Sequence, residues 1–205
     1  WHLAKDYKHR PGWLLDPESQ GFEYVATSVK PKPDADPLAD AHKTGKITDW
    51  AISFLEAQKN NRFLCFIEYN TIHRPEMEHP DLIAKYEAKA DVDNDKNRPV
   101  LGAMVETLDR NIGRLLKTLH DLGLAENTLV VFTCDHGMLG DTHSLKPLRG
   151  AKADLYEGGI RVPLIIRWPG RVDEGTVCHT PVCGNDFLPT LLEAIGVKTN
   201  DPAVD

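Results

Sequence analysis

Thr128–Leu129–Val130–Val131–Phe132–Thr133–Cys134–Asp135–His136–Gly137 (TLVVFTCDHG) is the stretch on which the reading turns. Its first half is continuously apolar or β-branched, which marks a buried strand rather than one with a wet face. Its second half changes at once to Asp135, His136 and Gly137. An acid, an imidazole and a glycine at a strand's carboxyl end form a typical ligand position in an open α/β sheet.

Regular elements flank this stretch on both sides. Upstream, Leu101, Met104, Val105, Leu108, Ile112, Leu115, Leu116, Leu119 and Leu122 keep the three- and four-residue spacing of a helix, and Gly123 is placed to end it. Downstream, Val162–Trp168 (VPLIIRW) reads as another buried strand. Further upstream, Phe63–Tyr69 (FLCFIEY) reads as a third. It is preceded by a helix over Gly45–Lys59 that carries Ile47, Trp50, Ala51, Phe54 and Leu55 on one face. A last helix fits Asp186–Ile195, closed by Gly196. Strands alternating with helices predict an α/β domain with a largely parallel sheet flanked by helices. Residues 1–43 are broken by Pro11, Pro17, Pro31, Pro33 and Pro37, and residues 74–98 form a proline- and charge-rich excursion.

The bulk composition excludes some functions. The 205 residues suffice for one domain with a core. A formal net charge of −7 argues against nucleic acid as the main partner. No apolar run reaches membrane-spanning length. Cys65 and Cys134 lie in apolar runs and read as buried thiols, whereas Cys178 and Cys183 are close enough in sequence to pair. Composition leaves the compartment and the oligomeric state open.

Two strand ends collect the residues able to do chemistry. One is Asn70–Thr71–Ile72–His73–Arg74–Pro75 and the other is Asp135–His136–Gly137. Asp135 fits either a helix cap or a metal ligand; His136 beside it, with Gly137 permitting a sharp turn, favours metal. Taken singly, His73 and His2 read as loop histidines bonded to carbonyls, and Lys152 as a solvated lysine.

Their combination is more specific. Leu148–Pro163 (LRGAKADLYEGGIRVP) resembles the sulfatase pattern LRGGKGTLYEGGIRVP and continues through Trp168–Pro169–Gly170. Asp186–Leu192 (DFLPTLL) resembles the same family's DLLPTLL helix, and Asn70–His73 with Pro75 resembles its histidine motif. Trp1–His2–Leu3 is similar to the end of GKWHLG. The motifs occur in family order over nearly the whole chain.

The resemblance implies an alkaline phosphatase-like fold and hydrolysis of sulfate esters, on an aryl sulfate or a sulfated carbohydrate. It implies that Lys152 contacts the sulfate, that His73 protonates the departing alcohol, and that His2 helps release sulfate from the nucleophile. It also implies a divalent metal, calcium in most of the family, with Asp135 and His136 as ligands. The imidazole at 136, where the family commonly has Asn, favours a softer cation such as manganese, iron or zinc. Asp-His-Gly also resembles phosphodiester and phosphonate monoester hydrolases of the same superfamily, and a non-catalytic anion-binding relic of the fold is a third reading. Export or a periplasmic setting is the location the family implies.

The formylglycine nucleophile of the family arises from a Cys/Ser-x-Pro-x-Arg motif, and no cysteine or serine here is followed by that pattern. Residues 1–205 are therefore expected to be the C-terminal part of a sulfatase catalytic domain, with the nucleophile and the paired metal-binding aspartates upstream. The chain by itself is expected to be inactive.

Overall fold

The structure, a computed structural model, describes residues 21–28, 31–89, 98–140 and 147–198. These fall into two units that divide after Gly170.

The first unit is organised around two helices. Helix α1 (Thr44–Gln58) buries Ile47, Ala51 and Leu55, and α3 (Arg98–Asp121) buries Leu115 and Leu119. Ala51, Leu55, Leu115 and Leu119 join Ala125 in one core, with Phe63, Cys65, Ile67 and Tyr69 packed on its side. The spacing of these apolar residues creates the two facing stripes. Lys43, the residue before α1, offers no side-chain cap. Asp40 substitutes, its carboxylate accepting from the N–H groups of Gly45 (3.3 Å) and Lys46 (3.0 Å). Gly123 ends α3 at φ +71°, its N–H bonded to His120 O while Leu124 N–H reaches back to Leu119 O.

The excursion after residue 74 contains α2 (Pro80–Glu87), docked on α3. Glu106 of α3 is the hub of that contact. Its carboxylate accepts from Lys85 Nζ (2.7 Å) and Tyr86 Oη (2.7 Å) and pairs with Arg110. The Tyr86 ring lies over Gly102, where a Cβ would collide with it.

Strands β1 (Val130–Thr133) and β2 (Leu164–Arg167) form the sheet found among the described residues, and they pair antiparallel, Val130 with Arg167 through Thr133 with Leu164. The largely parallel sheet expected from the sequence is not what this described pair shows. A parallel return needs a long crossover, usually a helix. The described connection instead runs through turns and the single helical turn α4 (Glu157–Ile160). The run 63–69 also differs from a strand buried on both faces. It has no ladder partner among the described residues, and its burial alternates residue by residue. Phe63, Cys65, Ile67 and Tyr69 face the core, whereas Leu64 (68%) and Phe66 (69%) are exposed.

In the second unit, α5 (Phe187–Ala194) follows a single 3₁₀ turn, where Asp186 accepts from Cys183 N–H, and the chain leaves through Gly196 at φ +73°.

Candidate active site

Asp135, His136 and Gly137 emerge from the end of β1 as the sequence requires. Asp135 Oδ1 accepts from the His136 backbone N–H at 3.0 Å, and its Oδ2 lies 3.1 Å from His136 Nε2. The other ring nitrogen, Nδ1, is 2.9 Å from Gly137 O. A carbonyl only accepts, so Nδ1 carries the hydrogen. Nε2 either donates to the carboxylate as an imidazolium or, in the neutral ring, offers a lone pair beside it that a cation would have to bridge. Two acceptors at that spacing suit adjacent ligands of one divalent cation, whose bonds are about 2.0–2.4 Å. The donor set thus fits a cation in kind and supplies two ligands; no group of three or more His, Cys, Asp or Glu able to hold a metal occurs among the described residues.

This loop is tied to residues 149–159 through backbone. Gly137 N–H donates to Gly159 O (2.9 Å) and Lys152 N–H to Met138 O (2.8 Å), while within 149–159 Gly158 N–H donates to Arg149 O (2.7 Å). The approach tolerates no side chain. A Cβ on Gly137 would enter the Gly158 carbonyl, and one on Gly158 would enter that of Gly150. The glycines of the YEGG run are explained by this interlock, which sets the half-buried Lys152 beside the Asp135–His136 turn. The Arg149 guanidinium stacks over the Tyr156 ring, 3.8 Å from its centroid.

His73 stands on a second turn, at the end of the 63–69 run. Its N–H donates to Asn70 O (2.8 Å), and its Nδ1 lies 2.8 Å from Arg74 O. That carbonyl fixes Nδ1 as the protonated nitrogen, leaving Nε2 as the atom able to exchange a proton. The turn is held from α1 and from His42 just before it. Thr48 Oγ1 bonds Tyr69 Oη (2.8 Å), Thr44 Oγ1 meets Thr71 Oγ1 (2.5 Å), and His42 Nε2 donates to Pro75 O (2.9 Å). Asn70, itself buried, donates to Ser28 Oγ at 2.8 Å.

The structure therefore gathers Asp135, His136 and Lys152 on one interlocked loop pair and His73 on a rack built by α1. His2 lies outside the described residues. His42, Thr44 and Thr48 carry weight that no motif announced. One signal was available: Thr44 and Thr48 share the helical face of Ile47, Ala51 and Leu55, where a polar residue needs a partner. The thiols offer no ready nucleophile in the first unit. Burial pushes Cys65 up. Cys134 is exposed rather than buried, yet partial burial and then Asp135 push its thiol up as well.

A family model described as Sulfatase matches residues 3–197. A "Sulfatase" of Formosa agariphila is 36% identical over 201 residues, covering 93% of this chain and 35% of that protein. A "Steryl-sulfatase" of Rattus norvegicus is 33% identical over 164 residues, covering 76% of this chain and 27% of that protein. The crystal structure of Ps i-CgsB in complex with k-i-k-neocarrahexaose superposes with a TM-score of 0.71 at 29% identity, over 79% of this chain and 36% of that one. The chain thus spans about a third of the length of these relatives. Matched from residue 3 to residue 197, with its glycine interlock and strand-end Asp135–His136 pair in place, the chain belongs to the sulfatase family.

Proposed function

We propose that the whole protein hydrolyses sulfate esters of a carbohydrate, and that His73, Asp135, His136 and Lys152 line one pocket in it, with His2 at the edge. The observation that carries the reading is the backbone lock between the Asp135–His136 turn and the Lys152 loop. It brings the backbone of Lys152 next to that of the Asp135–His136 turn, which supports a site where a cation and an ammonium meet an anionic sulfate. The carbohydrate class is supported by the likeness to a structure in complex with k-i-k-neocarrahexaose.

In this reading the Lys152 ammonium donates hydrogen bonds to sulfate oxygens. The His73 Nε2–H gives its proton to the bridging oxygen as the sulfur–oxygen bond breaks, so the alcohol leaves neutral. Asp135 and His136 would hold a divalent cation, which draws charge off the sulfate oxygens when bound. The nucleophile is assigned to a part of the protein other than residues 1–205, because the Cys/Ser-x-Pro-x-Arg pattern is not in them. The 205-residue chain alone is accordingly expected to show no turnover.

Phosphonate monoester or phosphodiester hydrolysis is a second reading, favoured by His136 in place of Asn. The test is turnover of nitrophenyl sulfate, a sulfated oligosaccharide and a nitrophenyl phosphonate by the whole protein. Sulfate turnover that falls about a hundredfold or more in His73→Ala and Lys152→Ala is expected. Turnover of the phosphonate alone would replace the reading, and anion binding without turnover would leave a relic. Manganese, iron or zinc is expected to restore a chelated sample better than calcium. Restoration by calcium alone, with metal preference unchanged in His136→Asn, would overturn the metal assignment.

A further inference from the structure

Residue 42 grips both ends of the turn that carries His73. Its backbone oxygen receives the Asn70 amide, a long bond at 3.5 Å, and its ring Nε2 donates to Pro75 O at 2.9 Å. His73 lies between these two points, its own N–H tied to Asn70 O. The ring at 42 is only 5% exposed, so the grip is sheltered from water. Proline at 75 has a fixed φ and one backbone polar group, its carbonyl, and His42 takes it.

We propose that His42 is a positioning residue for the reaction, setting the height and orientation of the His73 imidazole by clamping residues 70–75. The proposal rests on the reading of His73 as the acid for the leaving alcohol. The ring's other nitrogen supports the assignment. Nδ1 of His42 is buried with no hydrogen-bond partner among the described residues, so the imidazole serves through Nε2 alone. A proton added at Nδ1 would find no acceptor, and burial first of all holds His42 below the ordinary imidazole value. The Pro75 bond, Glu78 and Asp40 pull the other way, while His73 adds to the lowering. A lowered imidazole binds its proton more readily in the unfolded chain. The contribution of His42 to stability is therefore complete above 6.5 and is lost as pH falls below it.

Two amides separate positioning from mere filling. The Gln side-chain nitrogen reaches the place of Nε2, whereas the Asn nitrogen reaches only that of Nδ1. In the whole protein, His42→Asn is expected to lower kcat for nitrophenyl sulfate about tenfold with KM within about twofold, and His42→Gln to stay within about threefold of wild type. NMR titration of the His73 ring is the second readout: its midpoint is expected to move by about half a pH unit in His42→Asn and to stay in place in His42→Gln. His73→Gln, measured alongside, tests the underlying reading. If His73→Gln loses activity while both residue-42 variants behave alike in kcat and in the His73 titration, the positioning role is wrong and the acid stands. If His73→Gln keeps full activity, the acid is wrong, and the His73 titration still decides whether His42 sets that ring. An unmoved midpoint in His42→Asn overturns the proposal in either case.

Discussion

Residues 137–138 are tied to residues 149–159 through backbone, whereas residues 69–75 are held by side chains of α1 and of His42 just before it. In the first region the close approach of Gly137, Gly158 and Gly159 leaves no room for a Cβ, and the bonds run N–H to C=O. In the second, Tyr69, Thr71 and Pro75 are met by Thr48, Thr44 and His42. The first design fails at a single atom added. The second fails by degrees, one hydrogen bond at a time.

The largest effect is therefore expected at the interlock. Gly137→Ala or Gly158→Ala forces backbone apart and should destabilise by about 3 kcal/mol or more, with loss of activity in the whole protein. Thermal and denaturant unfolding measure it. A loss under about 1 kcal/mol would mean that the loops can separate without harm and that the contrast is false.

The rack should show smaller steps. Thr48→Val keeps the shape of α1 but strands the Tyr69 hydroxyl, whose ionisation burial already pushes up. A loss of about 1–2 kcal/mol is expected. Tyr69→Phe in the same background should restore part of it, since both partners are then apolar. A double-mutant cycle with no coupling would remove this link from the rack.

That difference also decides what a reader of the sequence could see. The interlock imposes residue types along a contiguous stretch, so Arg149, Gly150, Lys152, Tyr156, Gly158 and Gly159 form a recognisable string. The α1 and α3 stripes were legible for a similar reason: burial repeats at the helical period, and both helices match their expected spans to within three residues. The rack joins residues 21 to 33 positions apart, through ordinary threonines and one histidine, and no local pattern encodes such pairs. Strand pairing was not legible for a related reason. An apolar run such as Phe63–Tyr69 looks the same whether both faces are covered or one, and strand direction depends on a connection whose path the run does not contain. The bonds from residue 42 to Asn70 and Pro75 were hidden, whereas Asp135–His136 was plain because the two residues are adjacent in the chain.

A gain is expected at Ala153, which sits at φ +77° in the interlock at a position where the resembling family pattern has glycine. Ala153→Gly should stabilise by about 1 kcal/mol, by relieving a left-handed conformation. A lower melting temperature would show that the alanine's own contacts outweigh the strain.

The smallest effect at neutral pH concerns a third kind of joint, the ionic one between α2 and α3. Hydrogen bonds from Lys85 and then Tyr86 bring Glu106 down to about 2 from 4.5. A depressed carboxylate stabilises above its unfolded value, so the contribution is full above 4.5 and is lost as pH falls from there toward about 2. Glu106→Gln should flatten the acid side of the melting-temperature profile and change little at pH 7. An unchanged acid limb would assign the docking of α2 to Tyr86 on Gly102 alone.

Leu64 and Phe66 have a consequence for the colloidal behaviour of the chain. They point outward from a run that has no ladder partner among the described residues. An extended segment of this kind, with two large apolar side chains on its open side, is a template on which a second copy is expected to pair. Protein concentration, kosmotropic salt and warmth all push in that direction. The shelf life of a stock of this chain will then be governed by turbidity before it is governed by unfolding, and charged replacements at 64 and 66 will lengthen it without moving the melting curve.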